Sequence, residues 1–180
     1  MRVVSGIAKG IVLKTPAGMK TRPTADRVKE AMFSIIQFDL PGAKILDLFG
    51  GTGQLGIEGL SRGAAYTVFA DESSAACELI RENLRRTQFV SKAQVVRSDY
   101  AAYLRRCTEK FDIIILDPPY AEAFLENSLK IISEIDILQS GGIIVAEHPL
   151  EKPLSVEIEG YNRSKDYKYG KTLLTVFRKL

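Results

Sequence analysis

Cysteine and histidine are nearly missing from this chain. Its 180 residues include two cysteines, Cys77 and Cys107, and one histidine, His148. The cysteines lack metal-type spacing, so neither a zinc-ligand set nor a disulfide framework is expected; we read them as reduced thiols on helices. No metal site is predicted. A lone histidine is a weak catalytic signal, and His148 reads as a structural residue rather than a general base. No apolar run approaches the roughly 20 residues that span a bilayer. Arg2, Lys9 and Lys14 mark the N-terminal segment, but no continuous apolar signal region accompanies them, so we expect a cytoplasmic protein without a membrane partner. There is also no repeat, low-complexity tract or long linker.

What is present is the composition of an ordinary globular protein, 46% hydrophobic and 26% charged. The length predicts one domain over 1–180, with 1–40 as an N-terminal extension and 41–180 as the core. The net charge of +3 is unevenly spread. Residues 1–30 and 161–180 each carry +5, and 31–160 carry −7. Two basic ends around an acidic centre are either solvated faces or a phosphate-binding collar beside one site.

Segment 2–14 reads as a small hairpin with turns near Gly6 and Gly10. Thr24 is placed to cap a helix running to about Phe38, with Val28, Met32, Ile35 and Ile36 as its apolar stripe. Strands are then predicted at 44–48, 67–70, 93–97, 111–116 and 143–147. Helices are predicted at 54–62, 73–87, 100–107 and 123–134. Near-continuous Ile/Val/Leu strands alternating with amphipathic helices indicate an α/β fold, with a mostly parallel sheet covered on both faces. In the tail, 155–159 and 172–178 read as an antiparallel edge pair.

The first core strand runs through Asp47 into Phe49-Gly50-Gly51-Thr52-Gly53, and a helix follows. Gly51 to Gly56 fits G-x-G-x-x-G in the strand-to-helix setting of a nucleotide-binding turn. Asp71, with Glu72 beside it, ends the second strand where a ribose diol would be held. To this point NAD remains open. Asp47 argues against it, because a carboxylate at the strand mouth repels a pyrophosphate. S-adenosylmethionine has no phosphate and carries an ammonium and a sulfonium, which an acid at that position suits. Ser98-Asp99 follows the third strand, placed to accept from an adenine amino group.

Asp117-Pro118-Pro119-Tyr120 closes the fourth strand. Proline fixes φ and donates no hydrogen bond, so the strand stops there and its carbonyls turn outward. A flat amine at that rim would meet carboxylate and carbonyl acceptors at its edge and the Tyr120 ring on its face. The motif therefore points to methylation of an exocyclic amine on a nucleic-acid base. A cysteine-nucleophile route at a pyrimidine carbon needs a placed thiolate, and both cysteines fall within helical patterns. Arg22, Arg27 and Lys29 are read either as surface charges or, for the two arginines, as contacts to RNA phosphate or the target base. Tyr161, Tyr167 and Tyr169, interleaved with Arg163, Lys165, Lys168 and Lys171, mix rings and cations as single-strand binders do.

Over nearly its full length the chain resembles the RsmD family of bacterial methyltransferases. The likeness is carried by Thr21-Arg22-Pro23-Thr24 with Asp26-Arg27-Val28-Lys29-Glu30, by Leu46-Asp47-Leu48-Phe49 and Gly51-Thr52-Gly53, and by Leu55-Gly56-Ile57-Glu58. It continues at Leu60-Ser61-Arg62-Gly63-Ala64, Leu116-Asp117-Pro118-Pro119-Tyr120, Glu147-His148, and Tyr169-Gly170 with Thr172. Departures are Asp71 where Glu is usual, Gly51 where Ala is common, and Lys171 where an acid is frequent.

The resemblance implies a Rossmann-like class I S-adenosylmethionine-dependent fold with an antiparallel C-terminal edge and a small N-terminal hairpin and helix. It implies methylation of guanine N2, at position 966 in the usual ribosomal numbering, of 16S rRNA in the small subunit or its assembly intermediate, by a monomer. On this reading Asp117, Pro118, Pro119 and Tyr120 are catalytic. Asp47, Phe49, Gly50, Gly51, Thr52, Gly53, Asp71 or Glu72, Ser98 and Asp99 hold the cofactor. Arg22, Thr24, Arg27, Tyr169 and Lys171 grip the substrate. The competing readings are an adenine-N6 methyltransferase on DNA or RNA, a non-catalytic RNA-binding assembly factor of the same fold and, more distantly, an NAD oxidoreductase.

Overall fold

A computed structural model describes residues 1–18, 23–119 and 123–180; the side chains of 23–25 are also outside the description. Its centre is five parallel strands: β1 (Lys44–Asp47), β2 (Tyr66–Asp71), β3 (Ala93–Arg97), β4 (Phe111–Leu116) and β5 (Leu138–Pro149). Helices α2 (Gln54–Ser61), α3 (Ser74–Thr87), α4 (Tyr100–Arg106) and α5 (Phe124–Ile135) connect them, and α1 (Pro23–Ile35) precedes the sheet. The tail adds β6 (Tyr161–Arg163), β7 (Tyr167–Tyr169) and β8 (Thr172–Lys179). The strand order is β3-β2-β1-β4-β5-β8-β6, and β7 also pairs with β8. β8 runs antiparallel to β5, β6 and β7.

Sequence and burial explain this layering. Ile113 to Leu116 are fully buried because β4 lies mid-sheet with a packed layer on each face. One layer gathers Met32, Phe33, Ile57, Phe69 and Ile80, and the other gathers Leu104, Leu125, Leu129, Ile132 and Phe177. α3 starts where the Ser73 side chain accepts from the Ala76 N–H and stops at Gln88 in the left-handed region. α4 starts where Asp99 accepts from the Ala102 N–H.

One close approach fixes α2 against β2. A Cβ on Gly56 would stand 2.2 Å from the Phe69 ring and 2.8 Å from Thr67 Cγ2. Phe69 and Thr67 are fully buried and have nowhere to go. Gly56→Ala is therefore expected to lose about 2–3 kcal/mol of stability in urea unfolding, through overpacking. An unchanged midpoint would show that α2 can slide.

Several sequence expectations need correction. Thr24 does not precede its helix: α1 begins at Pro23, the favoured first helical position for proline, so Thr24 lies in the first turn. The helix ends at Ile35, and Phe38 lies beyond it, 89% exposed. The N-terminal hairpin does form, in short form: an antiparallel bridge pairs Arg2 with Val12, and Val3 N–H donates to Ile11 O, Gly10 N–H to Val3 O and Leu13 N–H to Met1 O. Residues 155–159 form no strand. Leu154 and Ile158 are buried against the sheet without joining it, and β8 instead takes β6 and β7 as partners.

Candidate active site

Strand order reverses about β1, whose neighbours are β2 and β4, and ligands of open α/β sheets bind outside the carboxyl ends of the strands at such a point. A cavity of about 850 Å³ lies there. Its wall includes Asp47 after β1, Asp71 and Glu72 after β2, Ser98 and Asp99 after β3, Asp117-Pro118-Pro119 after β4, and Glu147 on β5. The acid–proline corner and the glycine loop thus share one cleft.

The glycine loop is held from both sides. Gly50 N–H donates to Ala70 O at 2.9 Å and Gly53 N–H to Gly50 O at 2.7 Å. Gly51 and Gly53 have φ of 55° and 80°, values that side-chain-bearing residues rarely adopt. Gly50, Gly51 and Thr52 line the cavity. Gly53 does not: it is the residue before α2, backed against Ile57 and Ile80.

The two acids beside this loop differ in what they have left to offer. Asp71 is committed at both oxygens, accepting from Gly51 N–H at 2.8 Å and Ser73 N–H at 2.9 Å. Glu72 is exposed on the cavity wall, and no donor among the described residues holds its carboxylate. Asp47 is buried, and its Oδ2 accepts from Gly56 N–H at 3.0 Å. Asp47 Oδ1 has no partner, the one such buried side-chain atom among the described residues. Burial pushes its carboxyl up to about 7; Gly56 opposes the rise and Asp71 adds to it. A buried acceptor left open on a cavity wall is a place for a ligand's cationic donor.

Asp117 lines the same cavity. Confinement by protein raises its carboxyl well above the usual range, with the Glu147 and Asp47 charges adding to the effect. Tyr120 and Arg22 lie outside the described residues, as does the side chain of Thr24. Asp99 accepts from Ala102 N–H through Oδ1 while lining the cavity, so it caps α4 and faces the site together. Ser98 donates to Asp99 O and accepts from Arg106.

Some wall residues escaped sequence reasoning. Phe49, Tyr100 and Phe124 form a half-buried aromatic cluster with centroids 5.3–6.1 Å apart. Only Phe49 was expected there; Tyr100 and Phe124 each open a helix after a strand-end loop, which is the signal that could have found them. Met1 and residues 14–17 also line the cavity. Asn83 ties that segment to the glycine loop: its Oδ1 accepts from Lys14 N–H, and its amide donates to Lys14 O and Thr52 O. The N-terminal basic region therefore borders the site.

The expected substrate contacts are less well placed. Arg27 and Lys171 are exposed and off the cavity wall. Tyr167 and Tyr169 pack on one core layer and Tyr161 on the other, so these rings brace the sheet edge. Lys29, read as a surface charge, is 2% exposed and lines the cavity. His148 is buried off the cavity wall, with Nδ1 3.1 Å from Lys152 O and Nε2 2.9 Å from Thr175 Oγ1, which donates to Asp166. It is a strut between β5 and β8. Neither cysteine reaches the cavity wall.

The chain has known relatives in sequence and in fold. The protein-family model described as "Conserved hypothetical protein 95" matches residues 1–178. YlbH of Bacillus subtilis (strain 168), provisionally named an rRNA methyltransferase, is 40% identical over 182 residues, spanning 99% of both chains. Ribosomal RNA small subunit methyltransferase D of Escherichia coli (strain K12) is 30% identical over 154 residues, 86% of this chain and 77% of the relative. Among solved structures, yhhF of Escherichia coli superposes with a TM-score of 0.90 at 25% identity, covering 99% of this chain and 97% of that one. A Thermus thermophilus protein, TTHA0928, gives 0.83 at 28% identity, covering 98% of each. The parallel sheet with antiparallel β8 between β5 and β6 is the class I methyltransferase fold, and the chain belongs to the RsmD family of methyltransferases.

Proposed function

We propose that this chain uses S-adenosylmethionine to methylate the exocyclic N2 amine of a guanine in 16S rRNA, in the small ribosomal subunit or a partly assembled form of it. One observation carries the reading: the open oxygen of buried Asp47 and the Asp117-Pro118-Pro119 corner lie on one cavity wall. That oxygen suits an ammonium and repels a pyrophosphate, so the residues present fit this cofactor better than a dinucleotide. Asp47 receives the α-ammonium. Glu72 takes the ribose diol, because both oxygens of Asp71 already clamp the loop. Asp99 and the aromatic cluster of Phe49, Tyr100 and Phe124 receive the adenine.

When bound, the cofactor supplies a methyl group already activated by a sulfonium leaving group. The protein's task is then alignment and exclusion of water. Guanine's amine is a poor nucleophile because its lone pair is delocalised into the ring. Hydrogen bonds from that amine to the Asp117 carboxylate and the Pro118 carbonyl pyramidalise the nitrogen and free the lone pair. The raised affinity of Asp117 for a proton suits it to take the one released. Tyr120 stacks on the base, worth about 1–3 kcal/mol. A guanine paired in RNA must swing out first. The exposed cations Arg27 and Lys171 track phosphates outside the cleft.

Incubating the protein and labelled S-adenosylmethionine with unmodified small-subunit particles, and separately with free rRNA, tests the reading. Nucleoside mass spectrometry should find N2-methylguanosine. N6-methyladenosine as the sole product would replace the base assignment, and binding of RNA without turnover would leave an assembly factor.

A further inference from the structure

Six carboxylates and two lysine side chains, those of Lys14 and Lys29, line the cavity among the described residues. Lys14 is spent: its side chain is largely exposed, and its Nζ bonds both carboxylate oxygens of Glu82, at 3.0 and 2.8 Å. Lys29 is buried, and its nearest acid does not explain it. Glu58 accepts from Val4 N–H at 2.8 Å, Ser5 N–H at 2.9 Å and Arg62 Nε at 2.9 Å, whereas Lys29 Nζ stands 3.8 Å away. Asp26 is no nearer, at 4.0 Å. The single hydrogen bond from Lys29 Nζ goes to Arg2 O, at 2.8 Å. Two of its three N–H donors therefore have no acceptor within hydrogen-bond reach among the described residues.

A buried ammonium so weakly held is costly unless something else completes it. Burial is the main influence lowering its affinity for a proton, with Glu58 and Asp26 opposing. The proposed ligand provides the missing partner. Its amino-acid arm ends in a carboxylate that must enter a cavity lined by six others, and a buried cation offsets that repulsion. Thr52 of the glycine loop donates to Met1 Sδ, and the next residue of that segment, Arg2, bonds Lys29; this places Lys29 beside the end of the cleft where the arm of a ligand held at Asp47 would lie.

We infer that Lys29 holds the carboxylate of the cofactor's amino-acid arm, as the buried cation paired with Asp47 on the adjacent ammonium. This rests on the cofactor reading above. Lys29 is thus a positioning residue that sets the arm, and with it the line from methyl carbon to base amine.

Calorimetry with two ligands tests the assignment. S-adenosylhomocysteine carries the arm; 5′-methylthioadenosine keeps the nucleoside and sulfur but lacks it. Lys29→Met should weaken S-adenosylhomocysteine by roughly 10- to 100-fold, the range for a hydrogen bond to a charged group. Methylthioadenosine affinity should stay within about twofold, and Lys29→Arg should recover part of the loss. Equal weakening of both ligands would make Lys29 a structural residue and overturn the inference, as would unchanged binding of S-adenosylhomocysteine. Should Lys29→Met fail to fold, Lys29→Arg and Lys29→Gln carry the same comparison. If the unaltered protein binds neither ligand, the cofactor reading falls, and this inference with it.

Discussion

Asp117→Ala is expected to bind S-adenosylhomocysteine within a few-fold of the unaltered protein and to lose roughly 10³-fold in kcat, the scale for removing a group that acts on the transition state alone. Asp117 lines the cavity from β4, and the acids proposed to hold the cofactor, Asp47 and Glu72, come from β1 and the turn after β2, so binding and chemistry separate. On the proposed mechanism the same residue sets the acid limb of the pH–rate profile. Transfer needs the ionised carboxylate, and burial, Glu147 and Asp47 all raise its pKa. Activity should therefore fall, as pH is lowered, well before an ordinary aspartate would protonate. Single-turnover rates across pH measure this. A variant with unchanged turnover, or a limb at the ordinary aspartate value, would remove Asp117 from the chemistry.

Asp47→Asn carries the second large effect, and its sign changes with pH. Burial holds the folded-state carboxyl at about 7 against an unfolded value of 3.8. The fold binds this proton more tightly than the unfolded chain does, so the contribution of Asp47 is most favourable below the unfolded value and is lost as pH rises toward 7. A shift of about three units corresponds to a loss on the order of 4 kcal/mol by pH 8. Asparagine removes that loss but leaves an amide N–H2 where Oδ1 had no partner, costing about 1–3 kcal/mol at every pH. Denaturant unfolding without ligand should find the variant less stable than the unaltered protein at pH 4 and equal to it or more stable at pH 8. S-adenosylhomocysteine should stabilise only the unaltered protein at pH 8. Parallel stability curves for the two proteins would show that Asp47 is not the buried, unsatisfied acid described here.

The strand-end residues were legible because parallel strands buried on both faces read as apolar runs, and the residue that follows each run is forced to the rim. Asp47, Asp71, Asp99 and Asp117 were placed in this way, and the structure gathers all four on one cavity wall. The roles of Asp71 and Glu72 could not be separated, since both end the same strand; only the bonds from Gly51 and Ser73 show which acid is occupied. Lys29 was illegible for another reason. It sits among charged residues on a helix, and its burial depends on the N-terminal segment folding back to offer Arg2 O. The tail misled because Leu154, Val156 and Ile158 alternate as a strand would, whereas the segments that do pair, 161–163 and 167–169, look polar and are recruited by β8.

The seam in which Ile45 of β1 pairs with Ile113 of β4 has a kinetic consequence. Two whole strand–helix units must be threaded between those residues before the seam can close, and such distant pairings form slowly. Until it closes, Asp47 and Asp117 are not neighbours, and a nucleoside ligand has nothing complete to grip. Added cofactor should accordingly leave the refolding rate unchanged and slow unfolding, acting as a latch on the finished sheet.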